Sequence, residues 1–376
     1  MVAMSAAHVK DAKRLVVKIG SALLVDEESG RLHQKWLDAL CDDIADAHAR
    51  GQEVLIVTSG AIAIGRGPLG MTGRKLRLEE KQAAAATGQM RLTQAYQNSL
   101  DRHGITVAQV LVTLDDTENR RRYINARNTL DTLLRLRAVP VVNENDSVAT
   151  AEIRFGDNDR LAARVAQMIS ADTCILLSDI DGLYTADPRT NPDAKHIPEV
   201  TEVTAAVEAM AGVSGTSHGS GGMITKIMAA KIALSAGCRM AIAPGKPMRP
   251  LQALANGGRS TWFLPTAEPL AARKRWIAGS VQTRGTITVD EGAVGALHAG
   301  KSLLPAGVVE VSGDFERGDA VNVCGPDGRT IGKGLSAYAA ADMRAIKGRK
   351  SEDIEGILGF RGRSEVIHRD DLVVGS

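Results

Sequence analysis

Six short apolar segments punctuate the first two-thirds of the chain: LVVKIG (15–20), EVLIVTSG (53–60), ITVAQVLVT (105–113), AVPVVNEN (138–145), TCILLSD (173–179) and CRMAIAPG (238–245). They are rich in Val and Ile and mostly apolar on both faces, the pattern of strands in a parallel sheet covered on each side. Between them the apolar spacing lengthens to a helical period. WLDALCDDIADAHARG puts Trp36, Leu37, Leu40, Cys41 and Ile44 on one stripe and stops at Gly51. Residues 120–137 and 158–170 follow the same pattern. Strand–helix alternation of this kind predicts an α/β fold, a three-layer sandwich on a mostly parallel sheet with right-handed crossovers.

The pattern changes after about residue 265. TAEPLAARKRWIAGS (266–280) is a basic, Pro- and Ala-containing bridge, and beyond it come short alternating segments, TITVD, VVEVSG, AVNVCG and RTIGKGL, separated by turn signals such as GDFERGD and GPDG. The expected organisation is a large domain over 1–265, a linker over 266–280 and a small β-rich domain over 281–376. No fixed-period repeat is visible.

Composition narrows the function classes. The 376 residues are 44% hydrophobic, 24% charged and 3% aromatic, as in an ordinary globular protein. No apolar run approaches the roughly 18 residues of a membrane helix, and the first residues lack an apolar stretch of signal-peptide length, so a cytoplasmic location is expected. Lys and Arg total 46 against 44 Asp and Glu, a net +2, which is no nucleic-acid footprint. Within 280–376, twelve basic residues face fourteen acidic ones. Cys41, Cys174, Cys238 and Cys324 lie too far apart for zinc or redox spacing and read as reduced, buried thiols. The eight histidines form no HExxH pattern.

Ligands of open parallel sheets bind beyond the carboxyl ends of the strands, so the residues just after each apolar run hold the candidate chemistry. Lys18 interrupts the first run, where an ammonium is costly unless it meets an anion, and Gly20 and Ser21 follow it. Ser59 and Gly60 open a helix pattern after the second run. GRGPLG (65–70) matches a dinucleotide fingerprint only formally, because it follows a helix rather than a strand. The densest cluster is VPVVNENDSVATAEIRFGDNDRLAARVA. Asn143, Asn145 and Asp146 follow a strand, and Asp157, Asn158 and Asp159 open a helix. An Asx-rich loop with a capping residue accounts for one or two of these six, not all. Ser178 and Asp179 end another strand, and the DGLY and DPR turns beyond them suit a loop that brackets a nucleotide. SGTSHGSGGMITK is a glycine-rich loop entering a helix, suited to phosphate, with Lys226 one turn inside. It lacks the GK[ST] of a Walker A loop.

Two phosphate-suited lysines, glycine loops and an Asx cluster, without a strong base or metal set, fit phosphoryl transfer to a nucleophile that is already ionised. A carboxylate is such a nucleophile at neutral pH. The chemical problem is then repulsion between two anions, which lysines, amide dipoles and Mg²⁺ relieve by positioning and charge.

The stretches LVVKIGSALL, VLIVTSGAIAIG, INARNTL, VPVVNENDSVATAEIRFGDND, DGLYTADPR and SGGMITK resemble the amino-acid kinase family, in particular its members that phosphorylate glutamate. The tail, KRWIAGS…GTITVDEGAV…SLLPAGV…VIHRDDL, is similar to the PUA domain appended to those members. The resemblance implies ATP with Mg²⁺ as cosubstrate, L-glutamate as acceptor, a place at the first step of proline synthesis, feedback by proline and a homo-oligomer, dimer or tetramer. It also implies roles by position. Lys18 would touch ATP phosphates near the transferred group, and Asp159 would organise Lys18 and Lys226, the three forming the catalytic set. Ser59, Asn143, Asp146, Asp157 and Asn158 would hold glutamate. Ser178, Asp179 and the segment Ser220, Gly221, Gly222, Met223, Ile224, Thr225 and Lys226 would hold the nucleotide. Any side chain ligating the metal is left open. The alternatives are another carboxylate or carbamate kinase of the same fold, or an RNA-binding protein acting through the tail, against which the charge of the tail speaks.

Overall fold

In a computed structural model, the described residues are 8–26, 29–148, 157–211, 222–266 and 282–375, with 268, 269, 271, 272, 274 and 277. The chain divides into two compact units, Met1–Pro269 and Leu270–Ser376.

The first unit contains the strands β1 (Arg14–Ile19), β2 (Glu53–Val57), β3 (Val107–Val112), β4 (Val139–Glu144), β5 (Thr173–Ser178), β6 (Leu183–Tyr184), β7 (His196–Ile197), β8 (Glu199–Val200), β9 (Arg239–Pro244) and β10 (Thr261–Phe263). Its helices are α1 (Ser21–Leu24), α2 (Gln34–Ala49), α3 (Ala61–Arg66), α4 (Leu78–Asp101), α5 (Leu114–Glu118), α6 (Arg120–Arg135), α7 (Asp157–Met168), α8 (Ala205–Met210), α9 (Met223–Ser235) and α10 (Pro250–Ala255). Eight strands form one sheet in the order β3-β4-β2-β1-β5-β9-β10-β8. It is parallel throughout except where β10 runs against β9.

Side-chain alternation sorts each strand between two cores. Leu15, Val17 and Ile19 of β1 face a core shared with α2 and α4, through Leu37, Leu40, Leu92 and Tyr96. Val16 faces the opposite core, built with Leu161 and Val165 of α7 and Ile227 and Ala230 of α9. The same period puts Lys18 on the side of α7 and α9, and puts Asn143 of β4, two and four residues after Val141 and Val139, on the side of α4.

The six apolar runs are strands, and α2 buries Trp36, Leu37, Leu40, Cys41 and Ile44 as the stripe predicts. Two expectations change. β3 is an edge strand, and Gln109 and Leu111 on it are not buried, so it is not covered on both faces as the other runs are. The 24-residue α4 carries too little apolar contrast, in LEEKQAAAATGQMRLTQAYQNSLD, for the spacing to announce it. All four cysteines are buried and unpaired. Burial pushes the Cys41 and Cys174 thiols up to about 12, which makes them inert at neutral pH.

The second unit holds β11 (Thr283–Val289), β12 (Val308–Gly313), β13 (Ala320–Cys324), β14 (Thr330–Leu335) and β15 (Leu372–Val374) in the order β12-β11-β13-β14-β15. It also carries the short helices α11 (Glu291–His298), α12 (Ala340–Ile346) and α13 (Ile354–Leu358), which the segment pattern did not announce. Ile287, Val289, Phe315, Val323, Met343 and Ile367 fill its own core. Within the stretch read as a linker, residues 269, 271, 272, 274 and 277 are helical.

One crossing sets the geometry of the site described below. A Cβ on Gly65 of α3 would lie 1.8 Å from the Ala84 carbonyl oxygen, and one on Gly88 of α4 would lie 1.8 Å from that of Ala61. The two helix backbones therefore touch, and only glycine fits at either position. Gly88→Ala gains about 1 kcal/mol of helix propensity but forces the helices apart, an overpacking cost of about 3 kcal/mol. The net expectation is a clear loss of stability, read as a lower denaturation midpoint at unchanged m-value; a wild-type midpoint would show that the crossing opens freely.

Candidate active site

Three charged side chains from three separate elements meet at the carboxyl end of the central strands. Lys18 is the fifth residue of β1, paired in register with Val57 of β2 and Leu176 of β5. Asp159 lies in the first turn of α7, and Lys226 in the first turns of α9, whose N-cap is Gly222. The Lys18 ammonium is 2.6 Å from Asp159 Oδ1, an ion pair off the angle of a hydrogen bond. The Lys226 ammonium donates to Asp159 Oδ2 at 3.1 Å, and the Thr225 hydroxyl donates to the same oxygen at 3.0 Å. The Asp159 side chain is 0% exposed, and those of Lys18 and Lys226 are 9% and 5% exposed.

Burial pushes the Asp159 carboxyl up, but the charges of Lys18 and Lys226 outweigh it and hold the group below its usual 3.8. Burial, with help from Lys18, pushes the Lys226 ammonium below its usual 10.5, against the opposing pull of Asp159 and Asp179. Two ammonium groups thus share one carboxylate, and the triad keeps a net positive charge in a desolvated place. That is a site for an anion.

Beside the triad runs a chain of amides. Asn158, next to Asp159, donates through Nδ2 to the Thr58 carbonyl at 2.7 Å, the Ser59 hydroxyl at 2.7 Å and Asn143 Oδ1 at 3.0 Å. Asn143 is buried and donates through Nδ2 to Gln89 Oε1 of α4 at 2.7 Å. Thr58 is fixed from the core side by a 3.0 Å bond between its hydroxyl and that of Tyr96. Gly60, with φ +102°, turns the chain from β2 into α3, a backbone angle that favours glycine.

The structure therefore brings Lys18, Asp159 and Lys226 together, and separately joins Ser59, Asn143 and Asn158. Asp146 sits half-buried in the turn after β4, where Asn145 accepts a bond from Ser147 instead. Ser178 is buried at the end of β5 and donates to the exposed Asp179 at 3.0 Å. Gly222 and Met223, Ile224 and Thr225 form the start of α9. Ser220, Gly221 and His218, together with the side chain of Asp157, lie outside the described residues. In the DGLY turn Tyr184 donates to Asp181, and Arg189 pairs with Asp187 on the exposed DPR loop. Gln89, in an unannounced helix, was missed from the sequence. Thr225, named there with the nucleotide segment, also anchors Asp159. Among the described residues no group of three or more His, Cys, Asp or Glu could hold a metal ion.

Residues 13–244 match the amino acid kinase family and residues 285–358 match the PUA domain. The chain belongs to the amino acid kinase family. A relative from Paramagnetospirillum magneticum named glutamate 5-kinase is 65% identical over 363 residues, 96% of this chain and 98% of its own length. Proteins of the same name from Rhodospirillum rubrum and Rhodopseudomonas palustris strain BisB5 are 60% and 61% identical. The first covers 96% of both chains and the second 99% of both.

Removing the shared carboxylate leaves two buried cations without it. Asp159→Ala is expected to cost about 3–5 kcal/mol of stability. Because the folded carboxyl titrates below 3.8, its contribution is complete above that pH and is lost as pH falls through the lower folded value. The stability gap between wild type and Asp159→Asn, measured by denaturant titration, should stay level at neutral pH and close only in acid below 3.8. A gap that closes already near neutrality would contradict the assigned direction.

Proposed function

We infer that this protein transfers the γ-phosphoryl group of ATP to the γ-carboxylate of L-glutamate, forming L-glutamyl 5-phosphate and ADP, the first step of proline biosynthesis. The observation that carries the reading is the buried pairing of Lys18 and Lys226 on Asp159, on a chain of this family. A carboxylate oxygen of glutamate attacks the γ-phosphorus, the bond from that phosphorus to the β–γ bridging oxygen breaks, and ADP leaves with the electron pair. The nucleophile is already ionised, so no general base is required. What the protein supplies is alignment of two anions and positive charge where negative charge builds up. Asp159 holds the two ammonium groups apart at a set spacing, and their positive charge serves the transferring phosphoryl group.

Ser59, Asn143, Asp146, Asp157 and Asn158 are assigned to glutamate. The Asp146 carboxylate suits its ammonium, and the Ser59 hydroxyl suits a carboxylate. Ser178, Asp179 and the segment from Ser220 to Lys226 are assigned to the nucleotide. Mg²⁺ fits a place on the ATP phosphates, where it would neutralise charge, since both oxygens of Asp159 already face lysines. Proline shares the α-amino and α-carboxylate groups of glutamate and is assigned to an overlapping site on the loop 143–156. A cytoplasmic homo-oligomer, with catalysis confined to residues 1–265, completes the reading. No helix among the described residues is long and apolar enough to cross a membrane.

The assay is glutamate-dependent ADP release, run with and without proline. Wild type should show activity that needs glutamate, and proline inhibition should weaken as glutamate rises. Lys18→Ala and Lys226→Ala should each lower kcat by about 10²-fold or more, the scale of losing one transition-state donor. Near-normal turnover in either variant removes that lysine from the mechanism. Asp146→Ala should raise KM for glutamate far more than KM for ATP. Equal rises would mark the residue as structural.

A further inference from the structure

The Gln89 side chain is buried on α4 directly after the glycine that lets α3 and α4 touch. Its bonds have a direction. The Glu144 backbone N–H can only donate, and it does so to Asn143 Oδ1 at 2.9 Å. That fixes the Asn143 amide, so Nδ2 must point the other way and needs an acceptor, which is Gln89 Oε1 at 2.7 Å. The Gln89 amide is itself held, with Nε2 donating to the Thr93 hydroxyl at 3.3 Å and that hydroxyl donating back to the Gln89 carbonyl at 3.0 Å. With its oxygen fixed, Asn143 accepts from Asn158 Nδ2, whose two hydrogens are shared with the Thr58 carbonyl and Ser59 Oγ; the carbonyl can only accept, so it settles which way the Asn158 amide points.

Two consequences reach the surface of the site. Asn158 must present Oδ1, to which nothing is bonded among the described residues, as an acceptor. Ser59, already accepting from Asn158, must direct its own proton outward as a donor. We propose that Gln89 is a positioning residue for the amino-acid substrate: with the amide directions set by the Glu144 N–H and the Thr58 carbonyl, Gln89 holds the Asn143 side chain in place, and through it the spacing of the Asn158 amide and the Ser59 hydroxyl, the acceptor-and-donor pair that an α-ammonium and a carboxylate require. The proposal rests on the assignment of Ser59, Asn143 and Asn158 to glutamate.

The test is steady-state kinetics on the full chain. Gln89→Met is nearly isosteric and removes the amide acceptor, leaving a buried N–H of Asn143 without it. KM for glutamate should rise about tenfold, while KM for ATP and kcat stay within about twofold. Gln89→Glu keeps an acceptor at the same reach and should recover most of the loss. Gln89→Met placed on Asn143→Ala should add nothing further, because the route through Asn143 is already cut. Should Gln89→Met not fold, Gln89→Asn, which keeps an amide but ends one methylene short, has to show the same split. The proposal is overturned by an unchanged KM for glutamate, by equal rises for both substrates, by Gln89→Glu behaving as Gln89→Met, or by additive effects in the double variant. A wild-type protein without glutamate-dependent turnover would instead refute the function assigned above.

Discussion

The sharing of one buried carboxylate between two lysines organises this molecule. An unpaired ammonium in a desolvated place is among the most costly things a protein can contain, and two of them side by side are worse. Asp159 makes the arrangement tolerable without cancelling it, since two positive charges against one negative leave a surplus. That surplus is of little use to the fold. In the assigned reaction it serves an anionic ligand, which completes the electrostatic balance on binding, so the cost carried by the free protein is returned as affinity and charge stabilisation for the transferring phosphoryl group.

The scaffold explains why the three charges meet. β1 lies fourth in an eight-stranded sheet, so the residues at its carboxyl end are central, with neighbours on both sides. Strand alternation sends Lys18 to the side of α7 and α9, and both helices begin at that same end. Asn158 and Asp159, adjacent in α7, then part company. Asp159 turns to the lysines, and Asn158 turns to Ser59 and Asn143. One helix start therefore couples a charged cluster to an amide cluster. In the assigned reaction these serve the phosphoryl group and the amino acid respectively, and a fixed separation between them is what an in-line transfer needs.

The backbone contact of α3 with α4 plays a matching part on the other face. Gly65 and Gly88 remove the side chains that would keep the helices apart, which brings Gln89 within hydrogen-bonding distance of Asn143. Small residues here are a matter of distance rather than flexibility. The amide chain is directional because each member has a limited set of donors and acceptors, and it is anchored by a backbone N–H that cannot reverse its role.

The order of strands and helices in the first unit, the identities of Lys18, Asn143, Asn158, Asp159 and Lys226 as chemical candidates, and the change of character near residue 265 were determined by sequence alone. Each depends on local periodicity or on a polar residue standing where an apolar one belongs, and such signals lie within a few neighbouring positions. Which candidates meet was decided by tertiary structure. By local pattern Asp159 is one more polar residue in an Asx-rich loop; its pairing with residues 141 positions before and 67 positions after it was implied by the family resemblance alone, and the distances that make it one shared carboxylate come from the assembled fold. The exposed edge of β3 and the helices of the second unit were equally beyond local reading, because edge position is a property of the assembled sheet. Gln89 is the clearest case. A glutamine in an Ala-rich helix is unremarkable until a glycine crossing and a buried asparagine supply the burial and the acceptor demand that give it a task.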